Sequence, residues 1–142
     1  MISNTILLIL FLITSWSDYK EKEISITVLS IFAFLGIICN LIFHHISLTS
    51  LLCGVLIGLF CLLVSLSTNE ALGMGDGYLF MVSGIYLGGI ENIKLLLFSL
   101  MFSSCFSVFY TLYCKDIKRR IPFVPFILSS YIFIIYIDSS HF

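Results

Sequence analysis

The sequence predicts an all-α membrane protein, a bundle of six transmembrane helices, and three observations carry that expectation. Hydrophobic residues make up 60% of the chain and charged residues only 11%. The mean hydropathy is +1.15. The few charges cluster, leaving uncharged apolar runs of a length suited to a bilayer. A water-soluble fold of 142 residues would have too little polar surface to cover such a core. With 7 Lys+Arg against 8 Asp+Glu the chain lacks the basic footprint of a nucleic-acid binder, so no nucleic acid is expected as a partner. Residues 1–142 read as a single domain with no linker, low-complexity tract or internal repeat.

About 20 apolar residues cross the ~30 Å hydrocarbon core at ~1.5 Å per residue. Residues 1–17 form the first candidate span. They lack a basic start, and Thr14-Ser15-Trp16 is no small-residue cleavage site, so this segment is expected to remain as a helix and not be removed as a signal peptide. Residues 24–43 form the second span, closed by His44 and His45, and residues 46–67 the third. Residues 77–90 are only 14 in number and reach ~21 Å, too short to cross; extension back to Ala71 gives 20 residues with Asp76 as the only charge. Residues 92–114 are the fifth span, with Lys94 near its edge, and residues 121–137 the sixth, whose start Pro122 and Pro125 fix.

Basic residues set the orientation, because cytoplasmic loops retain Lys and Arg. With six spans, Lys20, Lys22, Lys115, Lys118, Arg119 and Arg120 share one side, and only Lys94 lies on the other. This predicts cytoplasmic loops at 18–23, 68–76 and 115–120, both termini outside, and a multi-pass location in the plasma (inner) membrane with the lipid bilayer as partner.

Two acids stand out by position. Asp18 ends the first apolar segment, and Asp76 lies in Gly73-Met74-Gly75-Asp76-Gly77 ahead of the fourth; the topology puts both on one face. An ionisable group at membrane depth is costly and is by default a candidate functional residue. Gly73, Gly75 and Gly77 free the backbone around Asp76 for positive φ and for close approach of a substrate strand, and non-helical backbone at that depth is tolerated where it lines a wet cavity. Read alone, the same residues also make an interhelical turn with Asp76 capping the next helix, and Asp18 also reads as a solvated loop acid. Glu70, on the same rim, is a further candidate contact for a basic leader, with a solvated loop acid as its other reading.

The Asp after the first helix, followed six residues on by Ile24, the Gly73-Met74-Gly75-Asp76 tetrapeptide, and Ile121-Pro122-Phe123-Val124-Pro125-Phe126 at the last helix occur in that order at helix boundaries. In this the chain resembles the type IV prepilin peptidases and their archaeal preflagellin relatives, over roughly residues 10–130. The resemblance implies an intramembrane aspartic endopeptidase that removes the short basic leader of pilin-like precursors at the cytoplasmic face, with Asp18 and Asp76 as its two catalytic aspartates. Ser25 and Ile26 stand where the family usually has Pro and then Asn or Asp, and Tyr78 where it commonly has Lys. The cysteine-paired cytoplasmic insertion of the larger, methylating members has no counterpart here, so the resemblance is to a short form without that insertion and leaves methylation unsupported.

The chemistry follows from the residues as well. Two carboxylates can hydrolyse a peptide if one is ionised to activate water while the other donates a proton. No cofactor and no metal are expected: the cysteines at 39, 53, 61, 105 and 114 lie in apolar runs without a C-x-x-C pair, and His44 and His45 lie on the opposite face. Ser103, Ser104 and Ser107 are expected to make interhelical hydrogen bonds. The competing readings are a non-enzymatic small membrane subunit, ion-conducting or an assembly scaffold, and a peptidase-like protein without activity. Against a transporter, the outer halves of the spans read as Leu, Ile, Phe and Cys with no polar path.

Overall fold

The computed structural model describes residues 2–21, 24–43, 46–67, 73–114 and 122–140. Among them there are five helical elements and no strand: α1 (Ile2–Glu21), α2 (Ile26–Phe43), α3 (Leu48–Ser67), α4 (Met74–Cys114) and α5 (Val124–Ser140). Glu70, His44, His45 and the basic run 115–120 lie outside the described residues. The all-helical class is as expected. Two helices are long and apolar enough to cross a membrane, Leu48–Ser67 and Met74–Tyr113, and Ile26–Ile42 and Val124–Asp138 are shorter apolar helices.

The fourth and fifth expected spans are joined in α4, which is not straight. Gly88 has φ 76° and ψ −172°, a conformation that breaks the helix and that only glycine adopts cheaply. Asn92 Nδ2 donates to the Phe80 carbonyl at 2.9 Å. In an unbroken helix twelve residues would separate those groups by ~18 Å, so the chain reverses at Gly88 and residues 89–114 run back along residues 74–87. The expected boundary at Glu91 is thereby corrected to Gly88. A charge ends an apolar run, but here Glu91 begins the next turn of helix, paired with Lys94 at 2.7 Å. Six rods result, although only two of the five elements meet the length and hydropathy required of a span.

The rods alternate in direction. On α3 and the first arm of α4, Gly54 faces Gly84, Gly58 faces Met81 and Leu62 faces Gly77, an antiparallel pair seated on glycine. The first arm runs parallel to α2: Ile24 packs on Gly75, and the Tyr86 hydroxyl donates to the Phe32 carbonyl at 2.6 Å. Phe98 and Phe102 pack edge-on against Phe133, and Phe106 meets Phe126, which sets the second arm antiparallel to α5. Phe11 meets Tyr131 with ring centroids 5.2 Å apart, and the Tyr131 hydroxyl donates to the Asn4 carbonyl, so α1 is antiparallel to α5. Leu7, Leu10, Phe11, Leu79, Phe80 and Ile127 are among the fully buried side chains between these rods.

The half of the bundle around the reversal, which the sequence reads as free of polar groups, contains a buried polar network. Asn92 is fully buried and donates to the Gly54 carbonyl at 3.0 Å as well as to Phe80, while its Oδ1 accepts from Ser83 Oγ at 2.7 Å. Every one of these bonds closes within the protein. The network clamps the α4 hairpin onto α3, because an amide left unpaired at that depth would cost several kcal/mol, on the order of the figure for a polar group in hydrocarbon. Ser104 and Ser107 are exposed on the outward side of α4, so the interhelical role expected of them falls to Ser83 and Asn92.

Candidate active site

Because the rods alternate, the end of α1, the starts of α2, α4 and α5 and the end of α3 share one end of the bundle. Asp18 and Asp76 are both there. Each aspartate is held by the first turn of a helix, where N–H groups lack intrahelical partners.

Asp76 is the third residue of α4, and Gly73 is the residue before that helix. The Asp76 amide donates to the Gly73 carbonyl at 3.0 Å, and the Asp76 carboxylate folds back to accept from the Gly73 amide. This is the reciprocal geometry of a capping box with its Ser or Thr replaced by glycine. The glycine has a local reason: a Cβ on Gly73 would lie 3.1 Å from Asp76 Oδ2. Asp76 is 8% exposed, so the helix start carries the carboxyl inward instead of leaving it in solvent.

Asp18 reaches across the bundle. Its Oδ2 accepts from the Val124 amide of α5 at 3.1 Å, and the Phe123 amide is also directed at it. The carboxylate therefore caps α5 from another helix. Asp18 is half-buried, and it lies within electrostatic reach of Asp76. The Cys61 thiol of α3 is also within electrostatic reach of Asp76. Sequence reasoning missed Cys61, and a lone cysteine in an apolar run carries no signal that could have found it.

The glycines around Asp76 divide in role. Gly73 is exposed beside the carboxylate. Gly75 and Gly77 are within α4, where Ile24 lies 3.0 Å from a Cβ built on Gly75 and Leu62 2.6 Å from one built on Gly77. Among the described glycines only Gly88 has positive φ, so the expected non-helical backbone at 75–77 is corrected to a regular first turn packed tightly on α2 and α3. The expected start of this span at Ala71 falls outside the described residues, and α4 begins at Met74.

A cleft of about 240 Å³ opens between α2, α3 and the first arm of α4, lined by Ile26, Leu29 and Ala33 of α2, Val55 of α3, and Tyr78 and Met81 of α4. Tyr78, the residue that departs from the family pattern, thus borders apolar space two positions from Asp76. Among the described residues no group of three or more His, Cys, Asp or Glu is placed to hold a metal ion.

A family model for the type IV leader peptidase family matches residues 5–112, a span that contains both aspartates and all but the last two residues of the α4 hairpin. No curated protein and no solved structure matches the chain.

Proposed function

This chain belongs to the type IV leader peptidase family, and on that premise we propose that it is a membrane-embedded aspartic endopeptidase that cleaves the short basic leader from pilin-like precursors at the cytoplasmic face. The observation that carries the proposal is the placement of two carboxylates from distant parts of the chain, Asp18 and Asp76, at one end of the bundle within electrostatic reach of each other. One carboxylate takes a proton from water as that water attacks the scissile carbonyl, and the other donates a proton to the carbonyl oxygen. Two such groups in a poorly hydrated site share a proton and titrate as a pair. Gly73, the glycine left open beside Asp76, leaves room for an extended substrate backbone at that carboxylate. Gly75 and Gly77 act indirectly by letting α2 and α3 close on the first turn.

Depth supports an intramembrane site. Asp76 is twelve residues, ~18 Å of helical rise, from the reversal at Gly88, beyond which we read the Glu91–Lys94 pair as lying at the far surface. That distance is well short of the ~30 Å hydrocarbon core, which supports a position for Asp76 below the near surface. The excess of Lys and Arg that the sequence assigns to the loops at that end, Lys20 at the end of α1 among them, supports reading it as the cytoplasmic side. Single-cysteine labelling in intact cells is expected to place residues 18–23 and 115–120 inside and both termini outside. Asp18 and Asp76 mapping to opposite sides would end the peptidase reading.

The direct test is leader removal from a pilin-like precursor by the protein purified in detergent. Cleavage is expected with a bell-shaped dependence of rate on pH, whose two apparent pKa values belong to the pair. Chelators are expected to leave the rate unchanged. Activity that disappears with chelator and returns with zinc would assign the protein to another mechanistic class.

A further inference from the structure

The first turn of α5 has few free donors, and all of them converge on one acceptor. Pro122 and Pro125 carry no N–H. The amides of Phe126 and Ile127 turn back to the Phe123 carbonyl at 3.0 and 3.3 Å. Phe123 and Val124 remain, and both amides are directed at the Asp18 carboxylate. A helix is ordinarily capped by the side chain of the residue just before it, commonly Ser, Thr, Asp or Asn. Here Phe123 occupies that position and has no side-chain acceptor, so the acceptor comes from α1, 106 residues away in sequence.

We propose that the Val124 amide, framed by Pro122 and Pro125, is a positioning group for catalysis: it fixes the plane of the Asp18 carboxylate and holds it toward Asp76. The inference rests on the reading of Asp18 as a catalytic residue. It gives the Pro-Phe-Val-Pro stretch a role beyond starting the last helix. The two prolines remove competing donors on either side, so the helix start offers two adjacent amides to one carboxylate. Without that bond the side chain would sample its other rotamers, and Asp18 and Asp76 would flank the substrate carbonyl only part of the time.

Val124 is the first residue of α5, the position at which helices favour proline, so Val124→Pro removes the N–H while keeping a helical φ. The Val124 side chain is fully buried, and Val124→Ala reports the loss of its packing alone. Replacement of Val124 by its α-hydroxy acid, which turns the amide into an ester, removes the N–H without a proline ring. In the full-length protein in detergent, the proline and ester variants are expected to lower kcat about tenfold or more with KM within about twofold, the scale of a misplaced catalytic group, while Val124→Ala stays near wild type. The second readout does not need turnover: carbodiimide labelling of Asp18, followed by mass spectrometry, is expected to quicken in the proline and ester variants and not in Val124→Ala. An ester variant with wild-type kcat and labelling would overturn the proposal, as would Val124→Ala matching it in both. Absence of leader cleavage by the wild-type protein would instead count against the peptidase reading, and the labelling would still decide whether the Val124 amide holds Asp18.

Discussion

Asp18→Asn and Asp76→Asn are each expected to lower leader cleavage by at least about a thousandfold, the scale seen when one member of a cooperating catalytic set is removed. Each substitution keeps the size of the side chain and one oxygen acceptor. An asparagine replacing Asp18 can still accept from the Val124 amide, and one replacing Asp76 can still accept from the Gly73 amide, so both helix starts keep their caps. Only the ionisable oxygen is lost. The double variant should be no worse than either single one, since a pair that shares one proton fails when either partner cannot carry it. Asp138→Asn is the control: Asp138 is exposed near the opposite end of α5 and belongs to neither helix start. The measurements are initial cleavage rates together with thermal unfolding in detergent, which should move little. Near-normal cleavage by Asp18→Asn beside a dead Asp76→Asn would remove the two-aspartate mechanism and leave a fold shared without its chemistry.

What the sequence revealed of this arrangement, and what it hid, follows from the kind of signal each feature leaves. Apolar runs between charges are visible in one dimension, so the helices and the common end of Asp18 and Asp76 could be read directly. The reversal at Gly88 could not be placed, because Gly88-Gly89 lies within an apolar run and the first charge, Glu91, comes three residues later. Asp76 drew notice as a lone charge near a span that was too short. The partner of Asp18 stayed hidden, since a backbone amide leaves no residue-type signature; the nearest trace is the spacing of Pro122 and Pro125. Asn92 was legible only as a polar residue opening a span, and its burial depends on the hairpin that brings Phe80 and Gly54 to it. The glycines at 75 and 77 suggested backbone freedom, whereas they provide close packing. A glycine in a sequence does not distinguish the two uses, and the facing residues Ile24 and Leu62 do.

That second use of glycine leads to the largest expected effect on folding. Gly54 and Gly58 on α3 are spaced four apart, as are Gly84 and Gly88 on α4, the small-residue spacing that lets membrane helices approach closely. The approach here is backbone to backbone: a Cβ on Gly84 would collide with the Gly54 carbonyl group, and one on Gly54 would lie 2.9 Å from the Gly84 Cα. No rotamer change can relieve such a clash, because the atoms in the way belong to the main chain. The helices would have to separate, which would pull the Gly54 carbonyl from Asn92 Nδ2 and leave buried polar groups unpaired. Overpacking and a broken buried network together put the cost of Gly84→Val at about 3–5 kcal/mol, a large part of the stability of a domain this size. Gly84→Val is therefore expected to fail to fold, with loss of the thermal transition in detergent and rapid degradation in cells. Gly84→Ala should fold only with a clearly lowered midpoint. Ser104→Ala, on the exposed side of α4, should match wild type. A Gly84→Val protein that melts within about 2 °C of wild type, a shift of less than ~1 kcal/mol for a domain of this length, would mean that α3 and α4 do not meet at this crossing, and the hairpin that carries Asp76 would need a different anchor.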